Sequence, residues 1–166
     1  MLYHSTNNPS FRVDLKEAIL RSLPPDNGLY MPDALPVLAI DDKDSQVTIR
    51  TEDFAAVFSR KEGTLTSLSL KGVETIASPL RPDFWRAPTD NDRGRNMAKS
   101  QWIWRRAHAE AEVRGFAWVP GRDARTVDVK ITHWLPRVEA TWETTYTVFE
   151  SGDVLVTVRA DDRGNT

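Results

Sequence analysis

From about Leu38 onward the chain alternates short strand-like runs with turn signals, and this alternation limits its possible folds more than any other feature. The runs are Gln46–Arg50, Phe54–Phe58, Thr64–Leu70, Val73–Ile76, Thr126–Thr132, Val138–Phe149 and Asp153–Arg159. Arg60-Lys61-Glu62-Gly63, Lys71-Gly72 and Glu150-Ser151-Gly152-Asp153 have the residues of hairpin connections. Apolar and polar residues alternate along Thr64–Leu70 with one slip, and only in part along Val154–Val158. Short strands at regular spacing predict an antiparallel β-sandwich. The exception is 96–109, which reads either as a helix or as an ordered loop. The sequence stops at Arg163-Gly164-Asn165-Thr166, just after a strand, so the sandwich is expected to be incomplete.

The first 36 residues have a different character. Asp14 to Leu23 predicts a short amphipathic helix, with Asp14 as N-cap, Glu17 completing a capping box, and Leu15, Ala18, Ile19 and Leu23 on one face. Pro24-Pro25 ends it, because a residue before proline is driven out of the helical region. Pro25-Asp26-Asn27-Gly28 is a strong turn, followed by the apolar stretch Leu29-Tyr30-Met31. One helix and two stubs of strand cannot bury a core of their own. Two parts are therefore expected, 1–36 and 37–166, giving a mainly β protein preceded by a short helical N-terminal segment.

Composition removes several function classes. The net charge is −2, from 22 basic and 24 acidic residues, which gives no special attraction to nucleic acid or to an anionic membrane. No apolar run approaches the roughly 18 residues needed to span a bilayer. The N-terminus lacks the basic start and apolar core of a signal peptide, and a cytoplasmic location follows. Without cysteine there is no disulfide framework, thiolate nucleophile or thiolate metal site. The six tryptophans all lie between Trp85 and Trp142. Trp85, Trp118, Trp134 and Trp142 are expected in the core, whereas Trp102 and Trp104 share one face on a strand and diverge on a helix, and no tryptophan is assigned to a ligand site. His4, His108 and His133 have no metal-ligand spacing and belong to no recognisable triad; each is expected at the surface or satisfied in the core.

The most distinctive string is Phe84-Trp85-Arg86-Ala87-Pro88-Thr89-Asp90-Asn91-Asp92-Arg93-Gly94. It resembles the signature near the start of the last domain of glycoside hydrolase family 2 β-galactosidases. The surroundings fit in order and spacing: the hairpin Phe58 to Leu65 upstream, then Trp102 and Trp104, the strand Thr145-Tyr146-Thr147-Val148 and the Gly152 hairpin downstream. The resemblance covers about 38–166 and implies a galactose-mutarotase-like supersandwich. Tyr3-His4-Ser5-Thr6-Asn7, Leu15 to Leu20 and Pro25-Asp26-Asn27-Gly28-Leu29-Tyr30-Met31-Pro32 resemble the N-terminus of threonine synthase, a pyridoxal-phosphate enzyme. Nothing after them follows that family, and no lysine sits in a recognisable cofactor motif, so no cofactor is expected. The chain then reads as a chimera with its junction near Leu35-Pro36.

The resemblance implies that both catalytic glutamates of a β-galactosidase lie on a barrel absent from this chain. Retaining hydrolysis needs two carboxylates about 5–5.5 Å apart. The nearest local pair, Asp90 and Asp92, has two readings: turn-capping groups paired with Arg86 and Arg93, or the start of a loop bordering a galactose site. In the second reading Arg86, Asp90, Asn91, Asp92 and Gly94 are the substrate-loop candidates, with Gly94 a hinge or a plain turn residue. Asp90 to Gly94 only loosely follows a calcium loop: Arg93 stands at a ligand position and Ser100 replaces the expected glutamate, so no metal is expected. No catalytic residue is assigned. The expected partners are the remainder of a β-galactosidase or a second copy, with galactoside bound only in the assembled enzyme. The alternatives are a truncated threonine synthase with an unrelated tail and a stand-alone carbohydrate-binding module.

Overall fold

The computed structural model describes residues 2–32, 38–121 and 125–162. It divides the chain into two compact units, Met1–Pro36 and Val37–Thr166. The expected junction at Leu35-Pro36 and the terminal Arg163–Thr166 lie outside the described residues.

In the first unit, β1 (Leu2–Ser5) lies between β2 (Arg12–Asp14) and β3 (Tyr30–Pro32) in an antiparallel sheet. Two stubs of strand are expected and three are found; of these the sequence locates only β3. The helix α1 spans Leu15–Arg21, and the Asp14 carboxylate accepts from the Glu17 N–H at 2.8 Å. Glu17 pairs with Arg21 at 2.8 Å, where a reciprocal cap was expected. The expected apolar face of α1 is buried only at Ala18; Leu15, Ile19 and Leu23 are exposed. The unit is held by a polar knot. Ser5 donates to Asp26 Oδ1 at 2.7 Å, and the same oxygen accepts from the Gly28 N–H at 3.0 Å. Asn7 donates to the Asp26 carbonyl at 2.9 Å, and the Leu29 N–H reaches Thr6 Oγ1 at 2.9 Å. Gly28 is required here, since a Cβ would come within 2.3 Å of Ser5 Oγ. The His4–Asn7 and Pro25–Gly28 strings are thus two halves of one contact.

The second unit is two antiparallel sheets. One is the meander β4 (Ala39–Asp42), β5 (Gln46–Arg50), β6 (Phe54–Ser59), β7 (Thr64–Leu70) and β8 (Val73–Glu74). The other has the order β12 (Val154–Asp162), β11 (Ala140–Phe149), β10 (Thr126–Leu135) and β9 (Glu112–Pro120). Period-two alternation places Val47, Ile49, Ala56, Phe58 and Leu65 on the inner face of the first sheet, all buried. Val127, Val129, Ile131, Tyr146 and Val148 do the same on the second. These residues form one hydrophobic core, with the Phe58 and Tyr146 rings 5.3 Å apart. Lys71 and Gly72 take φ of 49° and 77°, the paired positive values of a tight hairpin turn.

Several boundaries differ from expectation for local reasons. The strand expected over Val73–Ile76 ends at Glu74, whose carboxylate takes the N–H groups of Leu68 at 2.9 Å and Ile76 at 3.2 Å. The strand expected from Val138 begins at Ala140, because Glu139 turns the chain with φ of 52°. Residues 96–109 resolve into helix α3 (Met97–Ser100) and a 3₁₀ run, Trp102–Glu110. Sequence periodicity does not reveal β4 or β9. Both are held by a lateral polar clasp: Trp118 donates to Asp42 at 2.9 Å, Arg60 pairs with Asp42 at 2.5 Å, and its guanidinium lies 4.6 Å from the Phe116 ring centre. The four tryptophans expected in the core are half-buried and none is fully enclosed. Aliphatic side chains with Phe54, Phe58 and Tyr146 fill that space.

Truncating Phe58 to Ala removes a fully buried ring and its Tyr146 contact. Denaturant unfolding should show a loss of about 3–5 kcal/mol, or outright unfolding if the wild-type stability is smaller than that.

Candidate functional site

The Phe84–Gly94 string sits between β8 and the 3₁₀ run, in a stretch that a periodicity reading leaves unassigned. The chain leading into it is pinned to the first sheet. The Leu80 N–H donates to the Leu65 carbonyl at 3.0 Å, Thr64 donates to the Leu80 carbonyl, and Arg81 pairs with Glu62 at 2.9 Å. Phe84 then enters an aromatic clamp. Its ring meets Trp142 of β11 at 4.8 Å and Trp104 of the 3₁₀ run at 5.8 Å, both edge-on. Edge-to-face geometry sets the positive ring edge against a negative face, adding specificity to the burial. Trp142 is oriented by its own hydrogen bond to Thr144 Oγ1 at 3.0 Å.

Beyond the clamp, Thr89 caps the short helix α2 (Asp90–Gly94) in a complete capping box. The Asp92 carboxylate accepts from the Thr89 N–H and from the Thr89 hydroxyl, each at 2.8 Å. Arg86 closes on it with two nitrogens, at 2.6 and 3.0 Å. The Thr89 backbone bond, then the Thr89 hydroxyl, hold the Asp92 carboxyl below its ordinary range; desolvation opposes them, and Arg86 adds a smaller lowering. Asp90 is 98% exposed and pairs with Arg93 at 3.3 Å. Asn91 is also exposed. Gly94 has no left-handed φ and nothing within 4 Å of a Cβ built on it, so its present conformation does not require glycine. Left-handed geometry falls instead on Asn96, with φ of 56°.

The structure thus brings Arg86 and Asp92 together and leaves Asp90, Asn91 and Gly94 facing solvent. The capping-and-pairing reading of the two aspartates matches this geometry. Sequence reasoning missed Phe84 as the anchor of the string. Its clamp joins residues far apart in the chain, and only the presence of aromatics at 84, 104 and 142 hinted at it.

A cavity of about 470 Å³ adjoins this region, with Leu80, Arg81, His108, His133, Thr144 and Tyr146 in its wall. His133, expected to be exposed or satisfied, is buried, and its Nδ1 lacks a hydrogen-bond partner among the described residues. Its ring lies against Gly63, where a Cβ would come within 2.5 Å of Nε2. Burial pushes the imidazole pKa down, opposed by a weaker hydrogen bond to the Glu62 backbone. Among the described residues no three His, Asp or Glu side chains form a group able to hold a metal ion.

Residues 50–165 match the family described as the β-galactosidase small chain, and residues 2–60 match the threonine synthase N terminus. The two matches overlap at 50–60, in strands that belong to the second unit. A β-galactosidase of Priestia megaterium is 31% identical over 123 residues, 74% of this chain and 12% of that protein. One of Lactobacillus delbrueckii subsp. bulgaricus is 29% identical over 154 residues, 93% of this chain and 13% of that protein. A β-galactosidase small subunit of Latilactobacillus sakei is 36% identical over 67 residues, 40% of this chain and 21% of the subunit. The chain therefore spans a small part of the length of the curated relatives it matches.

The buried His133 makes stability depend on pH in a defined window. Its folded pKa lies below the unfolded value of about 6.5, so its contribution is intact above that pH and declines as pH falls below it. The depressed carboxylates of Asp42, Asp92 and Glu110 lose theirs only at lower pH, below the ordinary carboxylate range. The melting temperature should drop between pH 7.5 and 5.5, and the drop should be smaller in His133→Gln.

Proposed function

The chain belongs to the family of the β-galactosidase small chain, and on that premise we propose that its second unit is a supporting domain of an enzyme hydrolysing terminal β-galactosides. In this reading the domain is not catalytic alone. It meets a galactoside only when assembled with the barrel domain that carries the catalytic glutamates. The matches to β-galactosidases, and to a β-galactosidase small subunit, support the assignment.

The observation that carries the non-catalytic part is the state of Asp92. An acid/base carboxyl must exchange a proton during the reaction. Asp92 accepts two bonds from Thr89 and two from Arg86, and its pKa is lowered, so it favours a permanent anion. Asp90 stands in open solvent beside Arg93, with no second carboxylate paired to it among the described residues. The segment is then a braced border of the galactose site. Arg86 and Asp92 form the brace, Asp90 and Asn91 face outward, and Gly94 marks where the following loop begins to move. Its uncrowded surroundings support a hinge role, because no neighbour resists a change of backbone angle.

The first unit is a threonine-synthase-like N-terminal segment joined to a β-galactosidase small-chain segment, and the whole reads as a chimera. The polar knot of Ser5, Asn7, Asp26 and Gly28 supports an independent origin, because its hydrogen bonds all run between residues of the fragment. Residues 38–60 lie in the second unit although the threonine synthase match extends to residue 60, and a junction near residue 36 is the reading this division supports. Sequencing of the source DNA across codons 30–45 should find one continuous reading frame; two separate genes there would dissolve the chimera. Among the described residues no helix is long and apolar enough to cross a membrane, and the cytoplasm is the compartment proposed.

The purified chain should release no chromophore from a nitrophenyl β-galactoside, and calorimetric titration with millimolar galactose should be flat. Turnover that co-purifies with the chain would overturn the supporting-domain assignment. Saturable heat without turnover would favour the stand-alone carbohydrate-binding module.

A further inference from the structure

One ionisable ring stands in the apolar row of β10. Val127, Val129, Ile131 and Leu135 fill inward positions of that strand, and His133 takes the place between the last two. The backbone around it is fitted to the ring. Gly63, in the turn between β6 and β7, takes φ of 63° and leaves open the space where a Cβ would meet Nε2. Beside the ring the β9–β10 ladder slips: Thr132 pairs with Gly115 and His133 with Val113, so Arg114 bulges out of β9. Nδ1 is enclosed and has no hydrogen-bond partner among the described residues, so the bond to the Glu62 carbonyl runs through Nε2. A neutral imidazole has a single N–H, and Nδ1 therefore keeps a bare lone pair.

Glu62 links this ring to the signature string. Its carbonyl holds His133, and its carboxylate pairs with Arg81 at 2.9 Å. Leu80, next to Arg81, is tied to the same hairpin through Leu65 and Thr64. Phe84 follows three residues after Arg81.

We propose that His133 is an acid-operated latch: protonation at Nδ1 opens the Gly63 hairpin and frees the segment that leads into Phe84, while the β10–β11 pairing stays closed. A proton on Nδ1 needs an acceptor. The titratable and charged groups around the ring are Lys61 and Glu62 of the hairpin, Arg81, His108 of the 3₁₀ run, Glu112 at the start of β9 and Tyr146 of β11. The carboxylates of Glu62 and Glu112 are committed to Arg81 and Arg114. His108 Nδ1 is itself enclosed without a partner, and Lys61 and Arg81 are cations that oppose a further positive charge. An enclosed imidazolium without an acceptor is driven toward water. The parts able to yield are the tight turn and the interrupted β9–β10 ladder, since β10 and β11 pair without a break from Thr126 to Leu135. The latch does not depend on the galactosidase reading.

Amide hydrogen exchange on the full chain, normalised at each pH to the unfolded chain, tests the latch. Protection over 59–66 and 79–84 should hold above about pH 6.5 and fall about tenfold over the next pH unit, because the opened ring takes up the proton there. At the acid end their exchange should be insensitive to low urea, since a local opening exposes little surface. Exchange over 140–149 should rise with urea as global unfolding does. In His133→Gln the pH-dependent fall should vanish. A second measurement needs no variant: in NMR titration of the wild type, the Gly63 and Arg81 amides should shift with the same midpoint as the His133 ring proton. Constant protection would overturn the latch, as would a fall retained in His133→Gln. Urea dependence shared with 140–149, or Gly63 and Arg81 midpoints that differ from that of the ring, counts against it equally.

Discussion

The second unit depends on hiding the apolar faces of two antiparallel sheets against each other. Each strand of the pair alternates, so each sheet has one face that water disfavours, and the two faces are complementary. Phe58 against Tyr146 marks the centre of that contact. Everything polar nearby is arranged around it. The Thr64 hydroxyl lies 3.3 Å from Tyr146 Oη and donates to the Leu80 carbonyl, so the buried phenol keeps a partner and the loop leaving the first sheet is tied down. At the side, Asp42 joins Arg60 and Trp118, binding β4 and β9 to the same sandwich.

The signature string is positioned by that core without belonging to it. Phe84 is gripped by Trp142, whose strand is fixed by the sandwich, and by Trp104 from the 3₁₀ run. From that anchor outward, organisation passes from packing to electrostatics. Thr89 and Arg86 spend the Asp92 carboxylate on structure, leaving Asp90 and Asn91 to present outward. A string with two acidic residues two apart suggests proton chemistry when taken alone. Its local geometry makes one of them a cap and exposes the other.

The first unit works by a different balance. It is too short to enclose a core, and its helix leaves Leu15, Ile19 and Leu23 exposed. Its order comes from the Ser5–Asp26 contact and the N–H groups around it, with Ser5 entirely buried and the Asp26 pKa lowered chiefly by that hydroxyl. Hydrogen bonds closed within a short segment add to the little apolar burial such a piece has.

What the sequence determined by itself was whatever repeats along the chain or sits in one continuous string. Strand-like runs between turn signals marked β5, β6, β7, β10, β11 and β12 to within a few residues, because strand propensity and turn chemistry are local to the chain. The residues of Phe84–Gly94 were enough to mark the family. The tertiary structure decided whatever depends on partners distant in the chain. It revealed β4 and β9, held by cross-sheet polar contacts in place of clean alternation, and it moved the tryptophans to the margins of the core. The clamp on Phe84 and the burial of His133 against Gly63 belong to the same class. No local pattern encodes them, since each exists only once the two sheets have met.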